Sequence, residues 1–509
     1  MRRADSGEST AKNVKFTVLS ELVLAGLKFV SRRVFVLLLG KEYLGLNGLF
    51  TDILSMLSLA ELGFGVSITY SLYGPVARED RELIKSLIRL YRRIYQGVSL
   101  VVLAVGVSLT PFLPFFVREM PADIPNISLI YILNVVNVSV SYLFTYKSTL
   151  LYVYQKKYID GMIRAIVTLF ATVVQIVTLM LTGNYVYYLY LSIGATLIQN
   201  IVISIKADKR YPYLKEKKVS PLPGTILQDI RRNVSAMILH RIGSVAVFGT
   251  DNFLIAKFVG IVTTGLYSNY MMIRGFLNVV INALFSGITP VMGKLNATET
   301  KVQKQEAFRR LNFFAAWLLG WMSICLFWLY DPFIHIWLGG GYLLPRPVVF
   351  LIVVNFYVTG MRIPVANTRS AMGLFWDERY KAILEALANL IVSVILAKRW
   401  GILGIVAGTL ISTVAFPFWI EPTGLYRYGL KQSSSEYFRH YFLRLLVTVF
   451  AGILTGILCG GTGGTVLGFF VKGVICLCVP NIVFLAVYRR TPEFLFLKSL
   501  IGKNRRQTK

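Results

Sequence analysis

Lys28, Arg32, Arg33, Arg241, Arg274, Arg362 and Arg369 all fall inside long apolar runs of the sequence, where they outnumber Glu61 and Asp251. An ionisable side chain within hydrocarbon costs roughly 2.5–3.5 kcal/mol on insertion scales, so it faces a cavity or a partner. A cavity with this basic excess attracts an anion. Arginine suits phosphate in particular, because its planar fork makes paired, charge-assisted hydrogen bonds. The chemistry to expect is therefore binding of a phosphate-bearing cargo. The candidate ligands for it are Lys28, Arg32, Arg33, Arg241, Arg274 and Arg362. Glu61 and Asp251 are candidates for pairing with these cations or for coupling to a transported cation.

Position separates these candidates. At 100° per residue, Glu21, Lys28 and Arg32 share one helical stripe, and Lys28 lies about 21 Å along a helix that starts near Val14. Two readings stand for this stripe. It lines a wet cavity, or Arg32 and Arg33 reach to the interface while Glu21 pairs with Lys28. Arg274 lies about 20 Å from the start of its run, at mid-membrane, with no interface in reach. Arg241 lies about 10 Å from the nearer end of its own run. Arg362 and Arg369 flank Pro364. Lys257 reads as an interface anchor, and Lys147 and Lys472 are weaker candidates, Lys472 lying on the extra helices outside the expected cavity.

Nothing points to bond-making chemistry. There is no phosphate-binding glycine loop, no HExxH and no Ser-His-Asp set, and His240, His335 and His440 are scattered. Cys325, Cys459, Cys476 and Cys478 lie in apolar segments. Cys476 and Cys478 are two apart on a helix, so they point to opposite sides and cannot clamp one metal. No cofactor and no metal site is expected.

The elements that must position these groups follow from composition. Of 509 residues, 55% are hydrophobic and only 16% charged, where a soluble chain carries about 25% charged residues. Mean hydropathy is +0.61. Apolar runs of about 20 residues recur from end to end, each long enough to span a bilayer as a helix. Alternating ten-residue segments of a barrel are absent. The expected fold is an all-α integral membrane protein with about 14 transmembrane helices. Their cores are 14–39, 44–74, 94–117, 127–153, 162–182, 185–205, 233–259, 262–290, 311–337, 347–372, 381–397, 401–426, 441–459 and 465–488. The polar Met1–Lys15 stretch leads into a retained first span rather than a cleaved signal peptide.

The net charge of +29 would suggest nucleic acid in a soluble protein. Here it is topological. About 39 of the 54 lysines and arginines fall in alternate loops, including 78–93, 206–232, 294–310 and 427–444, and about five in the others. Basic loops stay on the cytoplasmic side, so both termini are expected there. The opposite loops are short, about a dozen residues at most, and leave no room for an extracytoplasmic domain. The 79–93 stretch reads either as an amphipathic helix on anionic lipid or as a solvated extension of the third span.

The longest polar stretch, 207–232, divides the chain into a six-helix lobe at 1–206 and a second at 233–430. Residues 431–509 then hold two extra spans and a basic tail. The second half restarts like the first. Asn13-Val14 corresponds to Asn233-Val234, and Gly45–Phe50 to Gly260–Tyr267. Two related halves mark many transporters, with the substrate site between them near mid-membrane.

Several runs carry a resemblance to a known family. They are Glu42-Tyr-Leu-Gly-Leu-Asn-Gly-Leu-Phe50, Ser58-Leu-Ala-Glu-Leu-Gly-Phe-Gly65 and Thr250-Asp-Asn252 followed by Gly265-Leu-Tyr-Ser-Asn-Tyr270. Trp337-Leu-Gly339 and Gly401-Ile-Leu-Gly-Ile-Val-Ala-Gly-Thr409 complete the set. Together they resemble the bacterial polysaccharide-transporter, or oligosaccharide repeat-unit flippase, family. Its superfamily also contains multidrug antiporters and the peptidoglycan-precursor flippase. The resemblance implies two pseudo-symmetric six-helix lobes around a central cavity, with two further C-terminal helices. It also implies export of undecaprenyl-pyrophosphate-linked oligosaccharide units across the bacterial cytoplasmic membrane for capsule, exopolysaccharide or O-antigen assembly. The partners implied are that lipid-linked substrate, membrane lipids, and a polysaccharide polymerase with other assembly proteins. A multidrug exporter needs acidic cavity residues, which the basic excess opposes. A membrane polymerase or ligase needs a sizeable outer loop, which is missing.

Overall fold

The computed structural model describes all residues except 1, 62–63, 155, 217–218, 232–233, 235–249, 287–291, 294, 297–298, 375–380, 464 and 508–509. Among the described residues the chain is helical, with no strands. In hydrocarbon every backbone N–H and C=O must be satisfied within the element, and helices do this locally. Eight described helices are long and apolar enough to cross a membrane. A ninth span follows if Ile127–Tyr142 and Thr145–Val153, bent by 42°, count as one. The chain divides into two compact units, Met1–Gly265 and Leu266–Lys509.

In unit 1, α1 (Arg2–Leu57) holds both of the first two expected spans, joined at Gly40 with φ 84°. That backbone conformation favours glycine. The second span continues through a 3-10 turn, Ser58–Glu61, into α2 (Phe64–Ala77). Then come α3 (Arg81–Ser108), α4 (Ile127–Tyr142), α5 (Thr145–Val153), α6 (Lys157–Thr182) and α7 (Tyr185–Arg210). Most of the seventh expected span, including Arg241 and His240, lies outside the described residues. Its last part is α8 (Asp251–Phe258), followed by α9 (Ile261–Ser286).

The two glycine-bearing segments compared in the sequence pack on each other. A Cβ on Gly45 would lie 1.9 Å from the Ile261 carbonyl oxygen, and one on Gly265 would lie 2.5 Å from the Lys41 carbonyl oxygen. Each glycine lets the other segment's backbone approach, which is how small residues bring helices together in membranes.

The first turns of α3 resolve the two readings of 79–93. Ile84, Leu87, Ile88 and Tyr91 are buried in a core with Ile68, Leu72, Leu150 and Ile203. The stretch therefore continues the third span, as the second reading has it, but its apolar side is packed on protein and not solvated. Lys85, read as a loop cation, is buried and paired with Glu82 and with Glu216 at 2.6 Å. The Ser86 hydroxyl donates to the Ser220 carbonyl at 2.6 Å. The described part of the 207–232 stretch is thus docked on unit 1.

Unit 2 continues with α10 (Lys301–Leu338), α11 (Arg346–Met372), α12 (Lys381–Trp400), α13 (Ile402–Ala415) and α14 (Pro417–Gly424). A π-helical turn, Leu425–Leu430, precedes α15 (Ser435–Cys459), α16 (Val466–Tyr488) and α17 (Pro492–Gln507). The glycine-rich 401–409 run packs α13 on α12, where a Cβ on Gly404 would meet the Leu396 carbonyl oxygen at 2.2 Å. The two extra spans, α15 and α16, pack on α10. Trp317 donates to Asn481 at 2.8 Å and Trp321 to the Cys476 carbonyl at 3.1 Å. Cys459 and Cys476 are buried and Cys478 is exposed. No metal-holding cluster of His, Cys, Asp and Glu occurs among the described residues.

Candidate functional site

The candidate side chains divide between the units. On α1, Lys28 and Arg33 are exposed and Arg32 is half-buried. Arg32 stands beside the Tyr188 and Tyr185 side chains of α7. Tyr185 packs edge-on against Phe35 at 5.2 Å and Tyr43 at 5.6 Å. Arg32 therefore stands against an aromatic wall, and the side chain of Glu21, the first member of the stripe, lies outside the described residues.

Glu61 sits at the 3-10 break, where the helix leaves its regular hydrogen bonding. The Tyr95 hydroxyl of α3 donates to its carboxylate. Thr149 donates to the neighbouring Tyr91 hydroxyl at 3.1 Å. Gly65 makes room for this group, since a Cβ there would come within 2.6 Å of Glu61 Oε1 and 2.5 Å of the Tyr95 oxygen. The Tyr95 hydroxyl therefore engages the carboxylate that the sequence offers for cation pairing or coupling.

Asp251 is half-buried in the first turn of α8. Next to it the structure adds a residue that the sequence reading passed over. Asp52 of α1 accepts from the Asn252 backbone N–H and from its side-chain amide, both at 3.0 Å. The carboxylate meets an otherwise unpaired N–H at the start of α8, a favourable place for negative charge. An acid deep in the second apolar run was the available signal.

In unit 2, Arg274 projects from α9 beside Tyr330. Its Nη2 donates to the Thr359 hydroxyl of α11 at 3.2 Å. Its Nε is buried without a hydrogen-bond partner, and among the described residues the side chain forms no ion pair. A guanidinium has five N–H donors, and an orphaned buried donor is costly. Arg274 is thus a half-buried cation with unused hydrogen-bonding capacity.

Arg362 differs. Its Nη2 lies 2.7 Å from Glu421 Oε1 and its Nε 3.1 Å from Oε2. Its Nη1 lies 3.0 Å from Glu385 Oε1. Lys381 reaches Glu421 at 2.6 Å, and Thr413 donates to Glu385 at 3.3 Å. Two cations face two carboxylates, so the positive charge counted at Arg362 is balanced where it stands. Arg369 is likewise engaged, donating to the Glu421 carbonyl at 3.0 Å and the Leu374 carbonyl at 3.0 Å. The sequence reading weighed neither Glu385 nor Glu421. Each stands in an apolar run, the same signal that singled out the arginines.

Lys147 and Lys257 are also engaged, whereas the Nη1 of Arg444 is buried without a hydrogen-bond partner. Lys147 bonds Ser204 at 2.6 Å and Asp208 at 2.8 Å. Lys257 donates to the Phe115 carbonyl and lies over that ring at 4.3 Å. Arg444, assigned to a loop, is instead buried in α15 over the Phe313 ring at 5.3 Å.

A family model described as polysaccharide biosynthesis protein matches residues 10–296, more than half of the chain. The chain belongs to the polysaccharide biosynthesis protein family. No curated protein matches it. Solved structures similar to this family member include the lipid II flippase MurJ in an inward closed conformation. That match has a TM-score of 0.65 at 14% identity and covers 93% of this chain and 98% of that one. The Vibrio cholerae MATE transporter VcmN matches with a TM-score of 0.59 at 12% identity, over 84% of this chain and 98% of its own. An inward-facing multidrug resistance MATE transporter of the MOP superfamily matches at 0.61 and 14% identity, over 80% and 97%. At these identities the likeness is one of fold. This polysaccharide biosynthesis family member is a multi-pass membrane protein with the fold of MOP-superfamily transporters.

Proposed function

We propose that the protein is a flippase that moves lipid-linked oligosaccharide units across the bacterial cytoplasmic membrane for surface polysaccharide assembly. The cargo is an undecaprenyl-pyrophosphate-linked repeat unit. The polar head passes through a cavity between two lobes, residues 1–206 and 233–430, while the hydrocarbon tail stays in lipid. Both termini are cytoplasmic. The observation that carries this reading is Arg274, a mid-span cation with a buried, unused donor and no carboxylate partner among the described residues. Such a group favours a pyrophosphate over an organic cation. Lys28, Arg32 and Arg33 supply further positive charge, as does Arg241, which lies outside the described residues.

Two acids within apolar runs that an organic cation would need are engaged by basic side chains. Glu385 and Glu421 are occupied by Arg362 and Lys381. No step requires a catalytic group. The lobes alternate access, and the cations release their cargo when it is exposed to the far side.

The decisive experiment is deletion of the gene followed by leaflet-resolved detection of the lipid-linked saccharide. A flippase predicts accumulation on the cytoplasmic leaflet, with restoration of surface polysaccharide by the wild-type gene. Build-up of unpolymerised units on the outer leaflet overturns the reading in favour of a polymerase.

A further inference from the structure

Two cavities adjoin within unit 2. One, of about 390 Å³, lies at the end where α10 meets α11 and α15 meets α16. Its cations are Arg346 and Lys472, with His335 beside them, and its one acid is Asp331. Asp331 accepts a hydrogen bond from Tyr270 at 2.8 Å and stands near Arg346, and the two cations still outnumber this one acid. The other cavity, of about 260 Å³, is apolar and runs between α10, α11 and α15 past Ile324, Val353 and Val449. Phe327 and Trp328 line both. The indole of Trp328 is fixed by donating to the Gly452 carbonyl at 3.1 Å. Arg346 lies over the same two rings, 5.2 Å from Trp328 and 5.6 Å from Phe327.

A cationic mouth therefore adjoins a greasy slot, with the Phe327 and Trp328 side chains lining both. Along α15 the slot extends from Tyr441 to Ile453, about 18 Å at 1.5 Å per residue. That is close to the hydrocarbon depth of one leaflet, about 15 Å. The mouth lies at helix ends, where the headgroup region of a bilayer falls. A molecule that satisfies both parts carries a phosphate at one end and a hydrocarbon chain at the other.

We propose that this composite cavity holds one anionic glycerophospholipid of the adjacent leaflet. Its phosphate sits between Arg346 and Lys472, and one acyl chain lies in the slot. Loop charge makes that leaflet the outer one. The lipid would pin α15 and α16, the two helices beyond the proposed lobes, to α10 and α11. This occupant is distinct from the cargo, and the site stands whether or not the flippase reading does.

The test uses the full-length protein reconstituted in nanodiscs of phosphatidylcholine with about a quarter phosphatidylglycerol, followed by delipidation and native mass spectrometry. The wild type is expected to retain one phosphatidylglycerol per chain. Arg346→Gln with Lys472→Gln removes the headgroup contacts, and Val449→Trp fills the slot while leaving both cations. Each is expected to lower phosphatidylglycerol retention about ten-fold, with unchanged behaviour on size-exclusion chromatography. Equal retention by either well-folded variant overturns the proposal. So does equal retention of phosphatidylcholine by the wild type, or displacement of phosphatidylglycerol by added polyprenyl phosphate at equimolar concentration.

Discussion

Arg274 and Arg362 belong to the same unit and to neighbouring helices, and both interrupt apolar runs. Arg362 faces Glu421 and Glu385 at 2.7 and 3.0 Å, with Lys381 completing a balanced set. Arg274 has a single neutral hydroxyl at 3.2 Å and an orphaned Nε. A buried cation surrounded by carboxylates ties helices together, here α11, α12 and α14. Arg274, half-buried and without a carboxylate partner among the described residues, is the cation proposed above to meet the cargo. The depth of an arginine in the membrane does not distinguish the two roles, but the partners it finds there do.

The largest effect expected from breaking this contrast is on stability. Arg362→Ala leaves two buried carboxylates with only Lys381 to answer them, and should cost about 3–5 kcal/mol. A thermal denaturation series in detergent checks this, and a melting curve unchanged from wild type would remove the cluster from the fold's support. Arg274→Gln should behave in the opposite way. It loses one neutral hydrogen bond, worth about 0.5–1.5 kcal/mol, yet should abolish restoration of surface polysaccharide in a deletion strain at normal protein levels. Full restoration would put Arg274 among the structural arginines. The smallest effects belong to the exposed cations of α1. Lys28→Gln and Arg33→Gln should each change stability by no more than about 0.5 kcal/mol. Each should slow cargo transport only a few-fold, measured as the rate of surface polysaccharide recovery after induction. A loss as severe as that of Arg274→Gln would move the principal anion contact to unit 1.

Much of the fold is legible in the sequence because run length in a bilayer is a strict constraint. The spans at 162–182, 185–205, 441–459 and 465–488 correspond to α6, α7, α15 and α16. The break near 40 and the glycine-rich 401–409 run also announce themselves, since backbone approach and positive φ both select glycine. Site chemistry is harder to read. Which carboxylate meets Arg362 depends on how α11, α12 and α14 pack, and its two partners come from segments distant in sequence. Glu61 shows the same limit. Its acidity and depth are visible in the sequence, whereas the Tyr95 hydroxyl that meets it is brought by a different helix. Lys85 and Arg444 read as loop cations because a charge count ignores helix faces, and burial turned them inward.

The glycine crossing between the second span and the start of α9 also bears on biogenesis. Gly45 meets the Ile261 backbone, so the docking face of the second span waits for a segment made about 200 residues later. At about 5–20 residues per second of synthesis, that face stays open to lipid for about 10–40 s after it leaves the ribosome. The first unit is therefore assembled late, when the chain is already more than half made, and an insertion chaperone would find its natural client in that interval.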